Sequence, residues 1–219
     1  MAARLLPVCK GAAAVSLCVG YSLAAHFAAA APTPGLLEAA VAITHALMLA
    51  FALAWRSAHR PAGLALWLLA CLALYSASGW LVAHYRWVFL LQDVGLQVLL
   101  ALAFGRTLRS GQSPLVSQFA AMLRGPLPPV VARYTRRATW AWTLFFAGMA
   151  TLSLLLFWLA PITVWSVFAN LLGLPLVVLM FVGEYAVRCS LLPAADRAGL
   201  WEAFAAYRRH SSGVVPRAH

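Results

Sequence analysis

Acidic side chains are nearly missing from this chain. Five aspartates and glutamates stand among 219 residues, against sixteen lysines and arginines, and only 10% of positions carry a charge. Soluble domains approach a quarter charged, so this scarcity excludes an ordinary water-soluble fold. Lysine occurs once, at Lys10. The four cysteines, Cys9, Cys18, Cys71 and Cys189, lack the C-x-x-C spacing of metal and redox sites and are expected to be free thiols. Internal repeats and low-complexity tracts are missing too. So are the nucleophile elbow, the phosphate-binding loop, the dinucleotide fingerprint, H-E-x-x-H and a Cys-His-Asn set in credible context, which leaves enzymatic chemistry without support.

What remains is apolar. The chain is 64% hydrophobic, with a mean hydropathy of +0.86. A hydrocarbon core of about 30 Å needs about 20 apolar residues as helix. Six stretches meet or approach that length, over 11–31, 36–55, 62–82, 87–104, 139–160 and 162–184. The prediction is an all-α, polytopic membrane protein of six transmembrane helices. The breaks carry turn chemistry, as in "APTPG" at 31–35 and "API" at 160–162.

The net charge of +11 would suggest nucleic acid on a soluble domain. Here its distribution gives a different meaning. The N-terminus, the 56–61 turn, the 105–138 loop and the C-terminal tail hold two, two, six and five basic residues, whereas the alternate connections hold only Arg86. Basic residues resist translocation, so both termini are expected in the cytoplasm, in a bacterial inner membrane, and no nucleic-acid partner is expected. Trp80, Trp87, Trp158 and Trp165 then fall at outer helix ends, and Trp55, Trp140 and Trp142 at inner ends, where indoles prefer to sit. No cysteine lies outside, so no disulfide is expected. The first span also reads as a secretory signal, with a basic start, an apolar core and small residues after it; cleavage would leave five spans in the same orientation.

Two inner segments have amphipathic spacing. Within 105–138, Leu115, Phe119, Met122 and Leu123 recur at helical intervals before "GPLPP", which predicts a helix at the inner membrane surface. The tail, 185–219, repeats the device with Leu200, Trp201, Phe204 and Tyr207.

Polar residues inside spans mark functional positions by default. Glu38, His45, Asp93 and Gln97, with His26 at the end of the first span, define a candidate outer pocket. It could serve proton transfer or hold a lipid headgroup; alternatively Asp93 pairs with Arg86 and the histidines hydrogen-bond between helices. His26 and His45 lie at different depths and no haem-attachment motif occurs, so no cofactor is expected. Arg106, Arg109, Arg133, Arg136 and Arg137 form a candidate inner basic face that meets anionic lipid or docks an acidic protein. Glu184, at the inner end of the last span, is costly unless paired, and Arg136, Arg137 and Arg188 are its candidate partners.

The runs "GPLPP…ARYTRR.TW.W..FF" and "WS.FAN…PL…MF..EY..R", within residues 104–188, resemble a family of small bacterial inner-membrane proteins. Their genes commonly accompany aryl-polyene or xanthomonadin-type pigment-lipid biosynthesis genes, and members are sometimes labelled ketosynthase. A condensing enzyme of that kind needs a soluble thiolase-like fold with a nucleophilic cysteine and paired histidines, and this chain has no room for one. The resemblance implies a non-enzymatic accessory or scaffold role beside acidic acyl carrier proteins. Two alternatives stand next to it, a small transporter or flippase subunit acting as a homo-oligomer or beside a larger exporter, and an intramembrane lipid-modifying enzyme.

Overall fold

The computed structural model describes residues 2–33 and 35–192; the amphipathic tail predicted over 196–209 lies outside them. Among the described residues the chain is helical throughout, without strands. Helices α1 (Ala2–Ala30), α2 (Leu36–Arg56), α3 (Arg60–Ser76), α4 (Ser78–Arg106), α5 (Leu115–Arg124), α6 (Pro129–Leu159) and α7 (Ile162–Ser166) are followed by a π-helical turn, Val167–Leu172, and α8 (Gly173–Leu191). Four stretches are long and apolar enough to cross a membrane: α2, α4, α6 and the continuous Ile162–Leu191. Val15–Ala30 of α1 and all of α3 are apolar but shorter. This is a helical, membrane-embedded protein, and helices satisfy every backbone group internally, as hydrocarbon demands.

Breaks between helices differ from the predicted ones in ways that local chemistry explains. The third segment was expected to run to residue 82, yet α3 ends at Ser76, whose hydroxyl takes the Ala73 carbonyl oxygen at 2.8 Å. The expected break at 83–87 is instead a kink within α4, where His84 leaves helical geometry (φ −121°, ψ 15°). Helix α6 begins ten residues before its apolar run, so the arginine cluster is part of the same helix. Pro129 suits that start, because the first helical turn needs no amide hydrogen there. In the last span Pro175 cannot donate to the preceding turn, and the wider π turn just before it accommodates the mismatch.

The chain divides into two compact units, Met1–Leu96 with Ala150–Leu176, and Gln97–Met149 with Val177–His219. In the first, Ala25, Ala28 and Ala29 of α1 meet Ala39 and Ala42 of α2, and Ala29 and Ala42 are fully buried. Small residues let the two backbones approach, which is how helices associate when lipid removes the hydrophobic drive. Leu81, Tyr85, Phe89, Leu90 and Trp165 complete that core. At the α2–α3 turn, Gly63 has no room for a side chain, since a Cβ would stand 3.1 Å from the Ala54 carbonyl oxygen. Trp67 of α3 reaches across to donate to the Leu47 carbonyl at 3.0 Å.

In the second unit, Trp142 is buried among Phe104, Phe146 and Phe181. A second cluster joins Val131, Tyr134, Ala138 and Leu192, with Val116 and Leu127 packed on it. Helix α5 is fastened along the first turns of α6. The Val116 amide donates to Thr139 Oγ1 at 3.3 Å, and Ser117 Oγ meets Thr135 Oγ1 at 2.6 Å. Gly125, at φ 77°, ends α5 in the left-handed region that glycine favours and turns the chain back into α6.

Candidate functional site

Two hydrogen-bonded chains occupy the core of the first unit, and they meet at consecutive residues of α7. Trp165 is fully buried, and its Nε1 donates to Ser153 Oγ at 3.0 Å. Ser153 Oγ, also fully buried, donates in turn to Asp93 Oδ2 at 2.5 Å. The neighbouring Ser166 donates its hydroxyl to the His26 carbonyl oxygen at 3.0 Å. The same hydroxyl oxygen lies 2.9 Å from His26 Nδ1, a contact whose direction follows the imidazole tautomer. Asn170 Nδ2 adds contacts to the carbonyl and hydroxyl oxygens of Ser166 at 3.2 and 3.3 Å.

The same unit satisfies other polar groups at its helix ends. Tyr85 Oη and Arg86 Nη2 both donate to the Ala31 carbonyl oxygen, each at 2.9 Å. A cation there complements the negative end of α1 as well as its last unpaired carbonyls. Gln92 Nε2 donates to the Ala42 carbonyl oxygen at 2.7 Å and ties α4 to α2.

These contacts draw together only part of the expected outer pocket. His26 and Asp93 belong to the two joined chains. His45 is exposed and lies edge-on to Tyr21, with ring centroids 4.3 Å apart. Glu38 curls back over its own helix start, its Oε2 lying 2.7 Å from where a Gly35 Cβ would stand. Among the described residues, neither makes a hydrogen bond to the His26 or Asp93 chains. Gln97 falls in the second unit, where it is buried with Oε1 lacking a hydrogen-bond partner. Sequence reasoning missed Ser153 and Gln92, although a serine and a glutamine within apolar runs were the available signals. It also assigned Trp165 and Trp142 to the interface, whereas both are buried.

In the second unit the arginines and Glu184 part company. Glu184 pairs with Arg188 one turn along its own helix, at 2.6 Å, and Tyr134 Oη donates to Glu184 Oε1 at 2.7 Å. Arg136 and Arg137 were candidate partners and are not. Tyr134 is the α6 residue on the face toward α8, and Arg136 turns away to donate to the Leu108 carbonyl oxygen at 3.1 Å. Arg106, Arg109, Arg133 and Arg137 are exposed, and among the described residues none of their guanidinium groups makes a hydrogen bond or ion pair.

No family model matches this chain, and no curated protein or solved structure matches it either.

Proposed function

We propose that the protein is a six-span inner-membrane component with both termini in the cytoplasm, and that it is a non-enzymatic accessory of pigment-lipid biosynthesis of the aryl-polyene type. Its task is to dock the soluble machinery, acyl carrier protein included, at the membrane. The six spans are α1, α2, α3, α4, α6 and the α7–α8 segment. Their orientation follows from fifteen basic residues in one set of connections and ends against one in the other.

The observation that carries the reading is where the polar groups are spent. Asp93, Ser153, Trp165, His26 and Ser166 hold helices to one another, whereas Arg133 and Arg137 project from α6 without a side-chain partner among the described residues. Free guanidinium groups of one sign attract an acidic partner. A second reading, a subunit of a lipid exporter built on the intramembrane polar residues around Asp93, is favoured by Gln97, whose buried carbonyl oxygen has no hydrogen-bond partner among the described residues.

The test is co-purification from mild detergent with the acyl carrier and synthesis proteins of an aryl-polyene-type pathway. The double variant Arg133→Glu/Arg137→Glu, matched for amount and topology, is expected to lose its soluble partners, and Asp93→Asn to keep them. Retention by the double variant together with loss by Asp93→Asn would reverse the assignment.

A further inference from the structure

One polar ring of α2 has no use inside the protein. His45 stands one residue short of the middle of this 21-residue helix, Leu36–Arg56, which puts it near the centre of the hydrocarbon that α2 is long enough to cross. The side chain is exposed there. It lies edge-on to Tyr21 of α1 at 4.3 Å, but the Tyr21 hydroxyl donates to the Val41 carbonyl oxygen at 3.3 Å, and no described residue hydrogen-bonds to either imidazole nitrogen. Acyl chains supply neither donor nor acceptor, so ionisable groups at this depth face a bundle interior or pair with one another.

Three observations select the partner. The first is spacing. Glu38, Val41, His45, Met48, Ala52 and Trp55 follow one another at alternating intervals of three and four, the seam by which one helix packs along another, with a polar residue at its centre. Val41 packs on the core shared with α1, whereas Met48 is 68% exposed, Trp55 53%, and Ala52 is exposed as well. Residues 15–20 of α1 are each exposed too, so α1 does not cover the seam beyond Tyr21. The second is depth. Copies inserted in the same sense carry α2 parallel, and about a two-fold axis along the membrane normal each residue of the seam meets itself at its own level. The third is chemistry. A neutral imidazole has one N–H and one bare nitrogen, so one His45 ring can donate to another without a third group. Ala52, seven residues on, lets the two backbones approach along that line.

We infer that two copies of the chain associate in the bilayer along the α2 face of His45, Met48, Ala52 and Trp55, with His45 hydrogen-bonded to His45 of the second copy. This needs only that α2 crosses the membrane. It is independent of which side the termini occupy and of the docking role, whose arginines lie on α6.

Single cysteines in the full chain test it, with Cys9, Cys18, Cys71 and Cys189 replaced by serine and isolated membranes oxidised with copper phenanthroline. Met48→Cys and Ala52→Cys are expected to give a disulfide-linked pair of chains, and Ala50→Cys, exposed but about 140° round α2 from His45, to give none. Energy transfer between two labelled populations of the purified chain in phosphatidylcholine vesicles then measures the association. His45→Leu is expected to weaken it about 3–15-fold, the range of one interhelical hydrogen bond in a membrane, and His45→Asn, which also donates and accepts, to restore most of the loss. Cross-linking at 50 in place of 48 and 52, or transfer unchanged by His45→Leu, would overturn the inference, since the copies would then meet by another face. Absence of both cross-link and transfer would overturn it in favour of lipid or a different chain against α2. Arg133→Glu/Arg137→Glu is expected to cross-link as the parent does, so failure of pairing and failure of docking are told apart.

Discussion

Glu184→Ala is expected to destabilise the protein by about 3–5 kcal/mol, the cost of breaking a buried ion pair from one side. The carboxylate is buried and the Arg188 side chain is 18% exposed, so the substitution removes the acceptor of three guanidinium hydrogen bonds from a poorly hydrated site. Tyr134 Oη would lose its carboxylate acceptor at the same time and keep only the Glu184 carbonyl oxygen at 3.0 Å. Graded variants separate these contributions. Glu184→Gln keeps an oxygen for Tyr134 and removes the charge, which is expected to cost about 1.5–3 kcal/mol, and Tyr134→Phe removes one hydrogen bond, at about 1 kcal/mol. Unfolding in detergent mixtures, followed by the fraction folded against denaturing detergent, should rank them in that order. Equal losses for all three would mean that this cluster is not what joins α6 to α8.

Trp165→Ala is expected to be comparably damaging, at about 3–5 kcal/mol, because it removes a large side chain that the packing encloses completely. The neighbouring residues set the sign and size. Phe157 stands edge-on to the indole at 5.1 Å, and the Nε1 proton is what orients Ser153 toward Asp93. Trp165→Phe keeps most of the volume and gives up one interhelical hydrogen bond, worth roughly 0.6 kcal/mol within a membrane. The same titration distinguishes the two, and an alanine variant no weaker than the phenylalanine one would show that the site collapses around the cavity.

The helical class and the apolar segments were legible because a bilayer leaves few alternatives, so length and hydropathy alone identify helices. Boundaries were less so. No continuous apolar run marks residues 129–138 as helix, yet Pro129 starts one and Val131, Tyr134 and Thr135 give it an inner face through contacts that appear only once α5 and α8 pack beside it. The candidate outer pocket grouped residues by helix face, which does not identify their partners. Asp93 and His26 are held by Ser153 and Ser166, more than fifty residues away in each case, and spacing within a single helix carries no record of that. Tryptophan was misleading for a related reason. An interfacial preference holds for exposed indoles, and Trp165 and Trp142 instead found partners inside the protein. Glu184 was correctly marked as needing a partner, and Tyr134 escaped notice because a phenol within an arginine-rich run does not stand out.

The central claim is that the membrane-embedded polar residues hold the structure together while the arginine face of α6 makes the functional contact. The most direct measurement compares the pigment-lipid content of separated inner and outer membranes in strains carrying Asp93→Asn or Arg133→Glu/Arg137→Glu, at matched protein levels. The account predicts wild-type lipid in the outer membrane with Asp93→Asn, and loss of lipid from both membranes with the arginine reversal. Lipid made in normal amount but trapped in the inner membrane by Asp93→Asn, with the arginine variant unaffected, would contradict it and place export at Asp93.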